Sequence, residues 1–556
     1  MPRSSPLTPT PAMPSAASQA GTLSAGTPRY RCGPWLLGLL VLLPAGCRAS
    51  NGPPAPPPPL AAPATDPAAA LHWPVPPPPA LQGADPVLWV ALAARLGTPD
   101  SPGGASTAAP PPLRLRAAAG SLSLVDGEGH RQQAPEFTIQ WRRRPLAQPL
   151  LLRRRVLGPF ASHESAEAAA GRWREAGAAV RIARPAEWEV WAPADAPPPP
   201  QGKAVLLERR ETSRLVPVLR QGGEERQLAG PVTLEARQGL RWGEGVHTGR
   251  FRLQADAHGG WTLLEQVPLE RYLLGVVPHE IGAGSPPAAL AAQAVLARTW
   301  AVRNRHRYAV DGYHLCADTQ CQVYSDPRLA GPEVRRAVQA TRSQVMTAAG
   351  EPIHAVYHAT NGGVAAGLEE AWDAAPQPYL IAFADGDGAF RARTPVPLPA
   401  ASLPALLAGG AGAYGADHPR FRWQRQLSAG RVAAALAARG QGVGTVRSLR
   451  VLERGPSGRV VALEIGGSSG QLVLRRDAIR RTLRELPSTL FTLVPAEAGL
   501  WSLQGGGFGH GAGLSQAGAI DLGRRGWSSE RILLHYYPGA ALQPLEAIAP
   551  ALRQGG

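Results

Sequence analysis

One stretch, residues 275–324, restricts the fold more than any other part of the chain. It opens Gly275-Val276-Val277-Pro278-His279-Glu280 and passes through Ala292-Gln293-Ala294-Val295 and Ala297-Arg298-Thr299-Trp300. It closes on Cys316-Ala317-Asp318-Thr319-Gln320-Cys321-Gln322-Val323-Tyr324. Ser285 followed by Pro286 and Pro287 reads as a helix start: a hydroxyl N-cap, then proline where a backbone N–H would be orphaned anyway. The helix is expected to run to about Tyr308, because Asp311-Gly312 is a turn signal. Its alanines let neighbouring backbone approach closely. Glu280 therefore falls on a short connection just ahead of a buried helix, held by rigid structure yet able to reach a cleft. Read alone, a glutamate there is a partner for the helix dipole.

Two further blocks follow. Tyr357-His358-Ala359-Thr360-Asn361-Gly362-Gly363 is one; Gly509-His510-Gly511-Ala512-Gly513-Leu514-Ser515-Gln516-Ala517-Gly518-Ala519, then His535-Tyr536-Tyr537-Pro538-Gly539, is the other. With the Pro-x-Glu turn, the Ala-Gln-Ala-Val-x-x-Arg-Thr helix and the Cys-rich segment ending Gln-Val-Tyr, these blocks resemble the catalytic domain of the SpoIID/LytB family. That family holds the stage II sporulation protein D and amidase-enhancer proteins. The resemblance covers roughly residues 202–542. It implies an α+β fold: a β-rich scaffold with a central Ala-rich helix and Gly-rich active-site loops, preceded here by a small α+β region and Pro-rich linkers.

The resemblance also implies a chemistry. Glycoside cleavage needs a carboxylic acid to protonate the leaving oxygen. Lytic transglycosylases manage with one carboxyl group, because the 6-hydroxyl of muramic acid itself attacks the anomeric carbon. Glu280 is the expected acid and then base, its pKa raised by burial against Pro278 and the alanine helix. Arg298 is expected to contact substrate or Glu280. His358, Asn361, His510, Ser515 and Gln516 are expected to bind glycan from loops whose glycines admit a sugar close to the backbone. The rival reading is a non-catalytic wall-binding activator of an N-acetylmuramoyl amidase.

Cys316 and Cys321 leave three alternatives open: a disulfide, a metal site and free thiols. In an exported protein such a pair is a disulfide. Some family members are reported to carry zinc in this segment, and zinc normally takes four ligands, which His314, His358 or His510 could complete. Gln320 stands where the family often has histidine. Ala512, Leu514 and Ala517 replace the usual Val, Met and Tyr, changes of packing that leave the polar residues in place.

Outside these blocks the chain divides by composition. Residues 1–47 read as a leader: Arg29 and Arg31 precede a short apolar run, and Leu43-Pro44-Ala45-Gly46-Cys47 resembles a lipobox, making Cys47 a candidate for lipidation. The run is too short to span a bilayer, which needs about 20 residues. Residues 48–112 are a Pro/Ala-rich linker with a short helix expected at 85–96. Residues 113–195 form a small α+β region, with a helix at about 165–176 and a strand at 179–182; it is similar to the glycan-binding SPOR domains. Residues 196–201 are a proline linker. Strands are expected at 205–208, 215–219, 232–235, 251–255 and 261–267. A central insertion, 396–492, supplies helices at 401–407 and 429–438 and strands at 448–453 and 460–466, with no chemistry assigned to it. Residues 543–556 are a tail.

Charge enters last. Lys and Arg number 57 against 41 Asp and Glu, a formal net charge of +16. That balance suits an anionic partner, although a coding bias toward arginine produces it equally well. Nucleic-acid signatures are lacking, so the expected partners are peptidoglycan glycan strands, a cell-wall amidase, and a membrane reached through an N-terminal lipid or signal anchor. The expected location is the periplasmic or cell-envelope side of the membrane.

Overall fold

The computed structural model describes residues 70–98, 110–221, 223–497 and 499–548. The leader and Cys47 lie outside the described residues, as does most of the first linker. Thirteen strands build one large, curled sheet. They are β1 (Val87–Leu96), β2 (Leu113–Ala117), β3 (Leu122–Val125), β4 (Arg131–Ala134), β5 (Glu136–Phe160), β6 (Arg181–Ala183), β7 (Trp188–Pro193), β8 (Val205–Gln221), β9 (Glu224–Gln227), β10 (Val232–Trp242), β11 (Gly245–Ala255), β12 (Trp261–Pro268) and β13 (Leu315–Cys316). The main path runs β13-β1-β12-β11-β10-β2-β5-β7-β6, with β3, β4, β8 and β9 attached beside it. The fold is α+β and β-rich.

Strand alternation explains much of this. In β2, Leu113, Leu115 and Ala117 are buried while Arg114 and Arg116 are exposed, the period of two that one buried face demands. The segment 85–96, expected as a helix, is instead strand β1. Its Leu88 and Val90 are fully buried, and it pairs antiparallel with β12 and parallel with β13. Pairing with distant strands outweighs the local helix preference of its alanines and leucines, a tertiary effect that no local pattern carries. Strand β5 pairs with both β7 and β8, so the sheet continues across the proline segment 196–201. The expected helix at 165–176 is α1 (His163–Glu175), capped by Ser162, whose hydroxyl accepts from the Ser165 N–H. The short strand after it is β6.

Beyond the sheet lies a second core, built around α2 (Leu269–Val277) and α3 (Pro287–Arg303). Thirteen of the seventeen residues of α3 are buried. A helix apolar all round is a core helix, and its alanines let α2, the strand Gln344–Ala348 and the helices Pro332–Ala340, Gln516–Arg524 and Ser529–Tyr536 pack on every side. Two details differ from expectation. Ser285 does not cap α3; its hydroxyl donates to the Ile281 carbonyl at 2.7 Å, and Pro286 occupies the cap position. The helix ends at Arg303, where the Asn304 side-chain amide takes the Trp300 carbonyl.

The insertion folds as expected in outline. Helix Ala429–Ala437 and strands Val446–Arg454 and Val460–Gly467 enclose an apolar core around Phe491, Ile465 and Val432, while helix Leu403–Ala408 packs in a separate cluster with Phe390, Phe421 and Leu490. No helix among the described residues is long and apolar enough to cross a membrane.

Candidate functional site

Glu280 sits in a single wide turn, Pro278–Gly282, that continues directly from α2. Its position is set from three sides. The Val323 N–H donates to Glu280 Oε1 at 2.9 Å. The Tyr357 hydroxyl hydrogen-bonds the same carboxyl group. Gln516 Nε2 donates to the Glu280 carbonyl at 2.9 Å and to Gln293 Oε1 at 3.3 Å. The side chain of Glu280 is half-buried. Burial raises its pKa above the usual carboxylate range; the bonds from Val323 and Tyr357 pull the other way and only partly offset it.

Behind the carboxyl group runs a polar chain. The buried Tyr272 hydroxyl donates to Gln322 Oε1 at 3.2 Å, and Gln322 Nε2 donates to the Tyr357 hydroxyl oxygen at 2.9 Å. Because Tyr357 receives from Gln322, its own proton is directed to Glu280. Burial and the negative charge of Glu280 both push the Tyr357 phenol well above its ordinary pKa, so it stays a donor. Tyr272, Gln322, Val323 and Tyr357 lie within the motif blocks that sequence reading picked out. Their part in the site was missed because a tyrosine or glutamine in a motif reads as packing until a partner is seen.

The three blocks meet by strand pairing. Tyr357–His358 forms a short parallel ladder with Leu514–Ser515, Tyr357 opposite Leu514 and His358 opposite Ser515. That register carries Gln516 to Glu280. It also brings His358 and His510 together, their rings 5.1 Å apart. His510 Nε2–H donates to the Tyr357 carbonyl at 2.8 Å, and its Nδ1 accepts from the Ala512 N–H at 3.2 Å. Burial, with nearby Arg480, drives its pKa to about 3, so the ring is neutral. His358 Nδ1–H donates to the Ala512 carbonyl at 3.1 Å, while Nε2 is enclosed without a partner. Burial holds His358 neutral as well.

Several expected site residues are structural instead. Arg298 does not reach Glu280. It is fully buried and forms a two-pronged ion pair with Glu270, Nε to Oε1 at 2.8 Å and Nη2 to Oε2 at 2.7 Å, and Nη1 donates to the Gln344 carbonyl at 3.0 Å. Position 298 lies on the face of α3 that meets the start of α2, a helical turn and more from Glu280. Asn361 is also fully buried: its amide donates to Asp385 Oδ2 at 2.7 Å and its Oδ1 accepts from the Gly363 N–H at 2.8 Å. Ser515, buried, caps the helix Gln516–Arg524 through the Gly518 N–H. The glycines of the third block make room for protein. At Gly511 a Cβ would strike the Arg459 guanidinium, and at Gly513, with φ +72°, it would strike the Val356 carbonyl.

The cysteines resolve the open alternative. Cys316 and Cys321 form a disulfide, Cα to Cα 5.7 Å. Both nitrogens of His314 are taken by backbone, Nδ1 by the Trp89 N–H and Nε2 by the Pro79 carbonyl. Among the described residues no group of three His, Cys, Asp or Glu side chains is arranged to hold a metal. The expected Cys316–Cys321 zinc site therefore does not fit these residues. The disulfide instead closes a loop that ends two residues before Val323, whose N–H donates to Glu280.

Comparison with known proteins matches this geometry to one family. Residues 257–347 match the Stage II sporulation protein family, SpoIID. Residues 366–513, most of the insertion and its flanks, match a second family described as a domain of unknown function, DUF8618. The chain is 28% identical over 307 residues to the Stage II sporulation protein D of Bacillus amyloliquefaciens, covering 51% of this chain and 76% of that protein. It is 26% identical to the protein of the same name from Bacillus subtilis, covering 51% of this chain and 77% of that one. It is 27% identical over 292 residues to the Amidase enhancer of Bacillus subtilis, covering 49% of this chain but 40% of that protein. The matched span 257–347 contains the glutamate turn, the buried alanine helix and the disulfide loop, and with these relatives it supports a SpoIID/LytB family assignment.

Proposed function

We propose that this protein acts on the bacterial cell wall as a lytic transglycosylase, cutting peptidoglycan glycan strands with Glu280 as its single acid and base. The observation that carries the reading is the carboxyl group of Glu280. It is half-buried, raised in pKa, approached by two neutral donors and paired with no cation. A group of that kind keeps its proton to higher pH than an ordinary carboxylate and can give it up to a leaving oxygen.

The step balances with one carboxyl group. Glu280 gives its proton to the glycosidic oxygen as the bond from that oxygen to the muramic C1 breaks. The 6-hydroxyl oxygen of the same muramic acid bonds to C1, and its proton passes to Glu280, which is ready again. The product end is a 1,6-anhydro sugar. Tyr357 and the Val323 N–H steady the carboxylate while it is charged, and the Gln516 bond to the Glu280 carbonyl fixes the turn. The nearest acid along the chain, Glu270, is held by Arg298 and is not free to serve as a second carboxylate.

The experiment is mass spectrometry of peptide-free glycan strands after incubation with the protein and with Glu280→Gln. New 1,6-anhydro-muramyl ends from the wild type alone support the reading; reducing ends would mean hydrolysis. A second reading is favoured by the likeness to the Amidase enhancer: the protein binds the wall and stimulates an N-acetylmuramoyl amidase without cutting glycan. Absence of cleavage by either form, with stimulation of such an amidase by both, would put that reading first. Attachment of the protein to the outer face of a membrane through its leader is part of the same proposal.

A further inference from the structure

The insertion, assigned no chemistry from sequence, forms one wall of a cleft of about 1050 Å³. That is at the upper end of volumes that hold a small ligand. Seven arginines line it against three acids, Glu370, Asp477 and Glu485. Three of the arginines are paired: Arg431 with Glu485, Arg476 with Asp373, and Arg481 with Glu187. The other four, Arg420, Arg425, Arg480 and Arg484, have no acidic partner among the described residues. Arg420, Arg425 and Arg484 are exposed. Arg480 is the deepest: its Nε is enclosed with no hydrogen-bond partner. An N–H enclosed without an acceptor is costly, and a guanidinium that lines a cleft offers a planar anion paired N–H donors.

Two lining residues connect the cleft to the surroundings of Glu280. His510 lines the cleft and donates to the Tyr357 carbonyl, and the Tyr357 hydroxyl bonds Glu280. Thr319 also lines it and belongs to the disulfide-closed loop Cys316–Cys321, two residues before Val323. Its walls are not only charged. Trp372 and Phe508 line it too, the Trp372 ring 4.7 Å from that of His510 and the Phe508 ring under the Arg420 guanidinium at 4.2 Å. Aromatic faces beside planar cations suit a sugar chain that carries carboxylates, whose ring faces are apolar and whose substituents are anionic. A bare phosphate has no use for the aromatic part.

We infer that this cleft is a carboxylate-reading subsite for the glycan strand, in which Arg480, with Arg425 and Arg484, binds the lactyl carboxylates of muramic acid next to the bond presented to Glu280. The inference rests on the glycan reading of the Glu280 site, and its test does not need cleavage.

The test measures binding by the full chain carrying Glu280→Gln. The probes are peptide-free strands and the same strands after chemical reduction of their carboxylates to alcohols, at low and moderate salt. The expected result is at least tenfold weaker binding of the reduced strands, and a salt dependence confined to the carboxylate form. Adding Arg480→Gln, or the exposed pair Arg425→Gln with Arg484→Gln, removes that tenfold preference and leaves binding of reduced strands unchanged. The exposed pair keeps the test valid if Arg480→Gln fails to fold. Equal binding of the two strands, or equal weakening of both by the arginine variants, overturns the inference. So does tighter, arginine-dependent binding of a phosphate-bearing wall polymer. Carboxylate-selective binding by a chain that cuts nothing would sustain the subsite while removing the transglycosylase.

Discussion

Two glutamates ten positions apart on one continuous helical segment have opposite fates. Glu270, in the first turn of α2, receives both prongs of the Arg298 guanidinium. Glu280, in the turn that continues α2, has only neutral donors, the Val323 N–H and the Tyr357 hydroxyl. Both are shielded from water, so the difference is the partner. A full positive charge fixes a carboxylate as an anion and makes it a strut between helices. Neutral dipoles orient a carboxyl group without forcing the proton off. The role proposed for Glu280 requires the absence of a cation as much as the presence of the acid.

The largest effect that tests this contrast is on activity. Glu280→Gln is expected to lower strand cleavage by about 10²–10⁴-fold, the range for a lost general acid, while circular dichroism and the melting profile stay native. Glu270→Gln with its fold retained should leave the pH profile of cleavage unchanged; a loss of cleavage as large as that of Glu280→Gln would break the comparison. Second comes stability. Arg298→Ala strands Glu270 as a buried charge and is expected to cost about 3–5 kcal/mol, read by chemical denaturation. A cost below about 1 kcal/mol would mean that the pair is not the strut described.

The disulfide ranks third. Replacing Cys316 and Cys321 by serine opens a short loop, an expected loss of about 2 kcal/mol on the chain-entropy account. It should also reduce cleavage by loosening Val323 against Glu280. Unchanged activity in that variant would show that the loop holds Val323 without the bond. Fourth, Tyr357→Phe removes a donor that favours the charged carboxylate, so the Glu280 pKa rises further. The acid must be protonated to act, so the alkaline limb of the cleavage profile moves to higher pH. Movement to lower pH would refute the assigned hydrogen bond.

The smallest effect is on stability against pH. The folded-state pKa of Glu280 lies above its unfolded value. Its contribution to stability is therefore fully present below the unfolded pKa and is lost as pH rises through the folded one. Glu280→Gln should melt higher than wild type at neutral pH, with the gap closing under acid. Melting curves at both pH values decide it, and a gap that widens toward acid would contradict the burial described.

The contrast also shows what could be read from the chain. Glu280 was legible because it lies in a motif with a turn-forming Pro278 ahead of an unusually apolar helix. Arg298 was misjudged for a geometric reason: sequence gives its distance along α3 but not which neighbour packs on that face, and the neighbour is α2. Asn361 and Ser515 look available in glycine-rich loops, yet those loops are folded inward around Arg459 and Val356. The strand β1 was misread because its residues favour helix locally and its ladder partners, β12 and β13, are far away in sequence. The arginines of the insertion gave no signal at all, since they are scattered over 420–484 and only the fold gathers them into one cleft.

By itself the sequence determined the elements whose causes are local. These are the α3 core helix from its run of alanine, the alternating strands of the sheet, the helix α1, and a glutamate fixed in a turn. The tertiary structure decided everything that depends on which surfaces meet. It joined Cys316 to Cys321 and gave Arg298 to Glu270. It aligned Tyr357 with Leu514 so that Gln516 reaches Glu280, and it left Arg480 without an acidic partner among the described residues in the cleft that His510 also lines. Local propensity is a sum over neighbours in the chain, whereas charge pairing and burial are set by neighbours in space.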